Sequence, residues 1–285
     1  MTAETVDTAR IGTPDDFDIR PYLSGLGGNF GGMANIIMQL SWPGVGYGVM
    51  ESRVESGSAL KHPVKRARTT YTYIAVALLG TEEERKLYRR AVTGQHAQVF
   101  NDADSKSPVA YKAMDPRLQL WVAACLYYGT VDYLEKLHGP LDPAVADALY
   151  AHAARFGTTL QVRDTMWPPN REAFADYWRE SLREVSIDDT IRDYLTGLMR
   201  YSNGPSWMRG RAAEFNTFVT TGFLPPEFRE QMHLDWDDER QARFDRLMRR
   251  LGAIERRLPT VVLNFPFNVL LWDMRRRVRK SIPLV

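Results

Sequence analysis

Five histidines, one cysteine and a basic cluster are the residues of this chain whose types and spacing could do chemistry. The histidines are His62, His96, His138, His152 and His233, and no pair has the H-E-x-x-H spacing of a zinc site. The single cysteine, Cys125, rules out an internal disulfide and a multi-cysteine metal site. His138 falls at the end of a predicted helix, where a cation meets the negative end of the dipole. His62 and His233 lie in polar or terminal segments, and His152 sits on an alanine-rich helix where it reads as structural. His96 stands apart. Tyr88, Val92, His96 and Phe100 are spaced by four, so a helix over 82–100 carries them on one face. An imidazole among apolar side chains is either a packed histidine bonded to a carbonyl or a ligand whose neutral Nε2 meets haem iron.

The helix before it holds a companion face. Arg66, Thr70, Tyr73 and Ala77 fall at i, i+4, i+7 and i+11, which sets a cation and a hydroxyl beside apolar groups. Arg66 there could pair a propionate or donate toward a bound oxygen species. Equally, it belongs to the basic run Lys61–Arg68 and could be a solvated surface charge. Other features read as structure. Trp121, Cys125, Tyr128 and Leu137 follow a helical stripe that suits a core, and a thiol flanked by apolar residues is inert. Asp237-Asp238 starts a helix, where negative charge favours the dipole. The glycine-rich stretch 25–32 lacks a preceding strand and a following G-K-[ST], so it reads as a turn or a site of close packing leading into a helix over 33–40, not as a phosphate cradle.

The elements that must position these residues are helices. Thr81 with Glu84 forms a capping box, and Asp115-Pro116 and Asp142-Pro143 are paired start signals. Predicted helices run over 33–40, 45–56, 64–79, 82–100, 116–138, 143–160, 170–184, 187–200, 207–220, 225–233, 236–256 and 260–278. Strand-like alternation is almost absent. The expectation is an all-α fold of roughly ten helices, with residues 1–20 a flexible arm and 21–285 a single domain.

Composition bounds the function. The chain has 285 residues, 44% hydrophobic and 25% charged, which excludes disorder, collagen and a disulfide scaffold. A net charge of +2 is too balanced to indicate nucleic acid. No apolar stretch reaches the ~20 residues that span a bilayer, and the expected location is cytoplasmic. The basic run Arg275–Lys280, preceded by Phe265, Phe267 and Leu270-Leu271-Trp272, could rest on an anionic membrane or be a solvated helix end.

Several stretches in order resemble the MpaB-like oxygenase family, which includes the rubber oxygenase called latex clearing protein. They are Met38-Gln39-Leu40-Ser41-Trp42-Pro43-Gly44-Val45, Arg66-x-x-x-Thr70 with Tyr73-Ile74, Gly80, Gln95-His96-Ala97-Gln98-Val99, Asp115-Pro116 with Leu120-Trp121-Val122, and Gly139-Pro140-Leu141. The resemblance covers about residues 30–180. It implies an all-helical haem b oxygenase with a haem pocket between central helices. His96 would be the iron ligand, Arg66, Thr70, Tyr73 and Val92 would lie at the cofactor, and O2 and a hydrophobic isoprenoid, lipid or natural product would react, by analogy through C=C cleavage. A catalytic carboxylate upstream of the arginine maps onto Glu51, with Glu55 close by. Trp42 and Ala123 stand where many members carry histidine, which leaves open a haem sensor or carrier without turnover. A haem-free helical interaction protein is the remaining alternative.

Overall fold

The computed structural model describes residues 17–52 and 62–285. The helices are α1 (Gly25–Leu40), α2 (Pro43–Met50), α3 (Pro63–Leu79), α4 (Glu82–His96), α5 (Pro116–His138), α6 (Pro143–Ala153), α7 (Arg155–Thr158), α8 (Arg171–Ser181), α9 (Asp189–Met199), α10 (Arg211–Phe223), α11 (Pro226–Gln231), α12 (Asp238–Glu255), α13 (Thr260–Leu263) and α14 (Phe267–Arg279). Among the described residues the only β pairing is an isolated antiparallel bridge between Phe100 and Lys112. The fold is all-α, as expected.

The start signals act as the residue types require. Thr81 Oγ1 accepts from the Glu84 N–H while the Glu84 carboxylate accepts from the Thr81 N–H, so two unpaired helix-end donors are satisfied reciprocally. Asp115, Asp142 and Asp237 cap α5, α6 and α12 through their side chains. The long α5 forms the spine. It buries Trp121, Cys125, Tyr133 and Leu137, with α1 and α12 packed along it, while α14 packs along α3. Trp42, Trp121, Trp178 and Tyr128 stack in series, with Trp42 and Trp121 4.9 Å apart and Trp178 and Tyr128 4.3 Å apart. Trp42 and Trp121 also donate their indole N–H groups to the backbone carbonyls of Ser181 and of Met38 and Gln39.

Several expectations change. The glycine-rich stretch is not a turn but the first half of α1, started by Ser24, whose hydroxyl accepts from the Gly27 N–H. Glycine is needed for close approach: a Cβ on Gly25 would lie 2.0 Å from the Phe265 carbonyl oxygen, and one on Gly27 would lie 1.7 Å from the Tyr133 hydroxyl. The 82–100 helix ends at His96, because Val99 and Asn101 turn away to pair with the backbone of Ala113 and Tyr111. Phe100 therefore leaves the face of Tyr88, Val92 and His96 and is 52% exposed. The 260–278 helix is broken at Pro266, whose ring forbids continuous helix hydrogen bonding, leaving α13 and α14. At the N-terminus, Ile19 is buried in the core and Phe17 stacks on Tyr22, so the part of the arm that is described is packed. Residues 1–16, Glu55 and the end of the predicted 45–56 helix lie outside the described residues.

Candidate functional site

A cavity of about 260 Å³ lies between α2, α3, α4 and α5. Its walls are largely apolar: Val45 and Val49 from α2, Ile74 from α3, Val92 from α4, and Leu118, Val122 and Leu126 from α5. Into it come Arg66, Thr70 and Tyr73 from α3 and Tyr88 and His96 from α4. The two helical faces read from the sequence thus meet across one space. The helix pair itself is tied by the Tyr88 hydroxyl, which donates to the Thr69 carbonyl at 3.0 Å.

His96 is the last residue of α4 and reaches the cavity from its end. Its Nδ1 is buried with no hydrogen-bond partner, and among the described residues Nε2 has none either. Burial, with the Arg66 cation adding to it, holds the imidazole down at about 4, well below its ordinary value. It is therefore neutral at pH 7, with a free ring-nitrogen lone pair. The alternative, a histidine bonded to a carbonyl, is realised elsewhere: the His152 Nε2 sits 2.9 Å from the Leu78 carbonyl oxygen.

Arg66 lines the cavity with a side chain that keeps much of its surface accessible. Burial pushes its guanidinium below its ordinary value, opposed by the nearby Tyr194 and Tyr88, but an arginine stays cationic in a protein. Among the described residues Arg66 has no acidic partner, and no Asp or Glu lines the cavity. A cation beside apolar walls with no acidic partner is free to receive an anion through charge-assisted hydrogen bonds. Thr70 likewise opens to the cavity. Tyr73 donates its hydroxyl to the Phe156 carbonyl, and burial raises its pKa, so it is a neutral wall.

The sequence reading does not point to several wall residues. Lys65, Gln39, Gln95, Gln119 and Ser52 also line the cavity, as does Val285 from the far end of the chain. Gln119 donates to the Ala113 carbonyl at 2.8 Å and to Gln161 at 2.9 Å, and Gln161 donates to Thr93 Oγ1 at 2.8 Å, which braces the end of α4 that carries His96. Lys65, Gln95 and Ser52 stand beside Arg66, His96 and Glu51 in sequence, but none lies on the helical faces that single those residues out.

Glu51 is not on the cavity wall. Its carboxylate accepts from Ser105 Oγ at 2.6 Å, the Lys106 N–H at 2.8 Å and the Tyr111 hydroxyl at 2.9 Å. Burial alone would raise its pKa, but these hydrogen bonds outweigh it and hold the carboxyl below its usual range. Glu51 anchors the 101–114 loop. Trp42 and Ala123 do not line the cavity either, so the two departures from the family pattern fall in the packed core. Cys125 is fully buried and burial pushes its thiol well up, as expected of an inert residue. Among the described residues no three His, Cys, Asp or Glu side chains cluster as a metal site.

The sequence profile of the family described as ER-bound oxygenase mpaB/B'/rubber oxygenase, catalytic domain, matches residues 20–253. An uncharacterized protein of Mycobacterium bovis and one of Mycobacterium tuberculosis are each 53% identical over 252 residues, covering 88% of this chain and 98% of the relative. No solved structure matches.

Proposed function

The chain belongs to the mpaB/rubber oxygenase catalytic-domain family, and we propose that it is a haem b-dependent oxygenase acting on a hydrophobic substrate at the α2–α5 cavity. The observation that carries this reading is His96: a half-buried, neutral imidazole with a buried, orphaned ring nitrogen, facing an apolar cavity beside an arginine with no acidic partner among the described residues. That donor set fits a haem, which needs one neutral nitrogen ligand, apolar walls and a cation for its propionates. Bound there, haem would supply the redox chemistry that activates O2.

The chain's own residues divide the remaining work. His96 offers a lone pair that no proton occupies at neutral pH. Arg66 supplies the charge that receives a propionate, and Thr70, one helical turn on, supplies a hydroxyl to orient it or a bound oxygen. Tyr73 and Val92 close the wall. Isobutyl and isopropyl side chains from α2 and α5 exclude water and accept an apolar chain, which favours an isoprenoid, lipid or hydrophobic natural product with a C=C bond to cleave. No proton transfer is assigned to Glu51, whose carboxylate already accepts three hydrogen bonds away from the cavity wall.

The test is an absorption spectrum after haem-supplemented expression, with a pyridine haemochromogen assay. Near-stoichiometric haem b, lost in His96→Ala, is the expected result. A colourless protein that takes up no hemin overturns the reading and leaves a haem-free helical binding protein. A haem-loaded protein that consumes no O2 with apolar alkenes is a haem carrier or sensor. Arg66→Ala is expected to lower haem retention, and wild-type retention would remove Arg66 from the site.

A further inference from the structure

α14 is apolar on two sides. Phe267, Leu271 and Met274 are buried against the body of the protein. On the opposite side Val269 is 46% and Trp272 56% exposed. This outer stripe continues backward through Phe265, 48% exposed, to Val261, 67% exposed. The break at Pro266 does not scatter it, because Asn268 Nδ2 donates to the Val261 carbonyl at 3.0 Å and the Phe265 N–H to the Val262 carbonyl at 3.1 Å. A helix with a second apolar face has a second surface to bury.

The charge around this stripe has one sign. Residues 246–285 contain ten arginines and lysines and two carboxylates, Glu255 and Asp273. Both carboxylates are engaged: Glu255 is buried against Ser24, Tyr133 and His138, and Asp273 accepts from Arg276 and Arg277. Arg275 is taken by Glu84 from the acidic first turn of α4, so that edge is neutralised. Arg256, Arg257, Arg279 and Lys280 are exposed and have no acidic partner among the described residues.

We propose that the α13–α14 face docks on an anionic lipid surface, with Val261, Phe265, Val269 and Trp272 entering the headgroup boundary and Arg256, Arg257, Arg279 and Lys280 meeting lipid phosphates. Aliphatic and aromatic groups ringed by unpaired cations match a bilayer interface. A second copy is a poorer occupant, since pairing this face with itself sets like charges together. A nucleic acid would use the cations and leave the valines without a role. Among the described residues no helix is long and apolar enough to cross a membrane, so the contact is peripheral. Beyond α14 the chain turns at Ser281 and brings Val285 onto the cavity wall, which links the docking face to the cavity through one short segment.

Sedimentation with phosphatidylcholine vesicles, with and without phosphatidylglycerol, tests this on the full chain, haem-free and haem-loaded alike. Expected are binding only to the anionic vesicles, and release by high salt. Arg279→Gln with Lys280→Gln weakens binding about fivefold per charge at low salt. Trp272→Glu lowers it at least about tenfold with an unchanged circular dichroism spectrum, since one buried indole is worth more than a kilocalorie-scale charge contact. Trp207→Glu, at an exposed tryptophan outside the face, leaves binding unaltered. Absence of vesicle binding overturns the proposal. So does equal binding of the Trp272→Glu variant, or a concentration-dependent dimer that Trp272→Glu dissociates. Vesicle binding does not depend on haem, so failure here and failure of the oxygenase reading are separate results.

Discussion

Two polar sites in this molecule, one buried in the core and one on a cavity wall, are built in opposite ways. At the junction of α1, α5 and α12, Glu255 is 8% exposed and every partner is protein: Ser24 Oγ and the Tyr133 hydroxyl donate to Oε1 at 2.5 Å, and His138 Nε2 lies 3.2 Å from Oε2. Burial alone would raise this carboxyl, but His138, Ser24 and Tyr133 outweigh it and hold it below its ordinary value. At the cavity, His96 has an orphaned Nδ1 and Arg66 has no counter-ion among the described residues. A closed network is complete and stabilises the fold it joins. An open one loses stability through unmade hydrogen bonds and makes sense where a ligand completes it.

The widest expected difference is in stability. Glu255→Ala leaves the Ser24 and Tyr133 hydroxyl protons without their buried acceptor and is expected to cost about 2–5 kcal/mol by urea unfolding. His96→Leu in the haem-free protein removes an atom that is already unsatisfied, and is expected to stay within about 1 kcal/mol of wild type. Equal losses in the two variants would end the comparison, because His96 would then be an ordinary core residue.

The next effect is on pH. The folded His96 pKa of about 4 lies below its ordinary value of 6.5. Between these values the unfolded chain binds a proton that the folded chain refuses, so stability falls as pH drops through that window. The loss attributable to this residue is up to about 3 kcal/mol. It is read as the difference between wild type and His96→Leu, and parallel pH profiles would show that the imidazole is not desolvated. Glu255 behaves differently: its folded pKa is lowered, so its contribution holds above the ordinary carboxylate value and is lost only as pH falls below it.

Glycines in α1 sharpen the contrast on the closed side. A Cβ on Gly27 would lie 1.7 Å from the Tyr133 hydroxyl and 2.5 Å from Glu255 Oε1, while one on Gly28 meets nothing within 4 Å. Gly27→Ala is expected to destabilise by about 2 kcal/mol or more. Gly28→Ala is expected to stabilise by about 0.5–1 kcal/mol through helix propensity. Thermal melts of the pair would show whether the network tolerates displacement. The smallest expected effect is electrostatic: Arg66→Gln removes one of the causes lowering His96, so its titration midpoint by NMR moves upward. An unmoved midpoint would place the two side chains too far apart to share a ligand.

Much of the site was legible because it is written in local periodicity. Arg66, Thr70 and Tyr73 recur at helical spacing on α3, as do Tyr88, Val92 and His96 on α4, and both faces line the cavity. Phe100 broke from the pattern because backbone pairing with the 111–113 segment competed with the helix and won. Lys65 gave no signal, since its neighbour Arg66 already occupied the recognisable face. Glu51 could be placed near the arginine in sequence, but which groups would take its lone pairs depended on a loop more than fifty residues away. The basic C-terminal run was visible, yet of the aromatic and aliphatic residues before it, Phe267 and Leu271 went inward while Phe265 and Trp272 stayed out.

The amino-acid sequence by itself determined the helical class, most helix starts and the two faces that meet at the cavity. These follow from side-chain capping, proline geometry and a 3.6-residue period, all of which act within a few residues. Tertiary structure alone decided which polar groups away from the helix caps are paired. Glu255 meets Ser24 across 231 positions of chain, while His96 and Arg66 meet no protein partner among the described residues. Satisfaction of a buried charge is a long-range property, because it depends on what packing brings near and on what it leaves open.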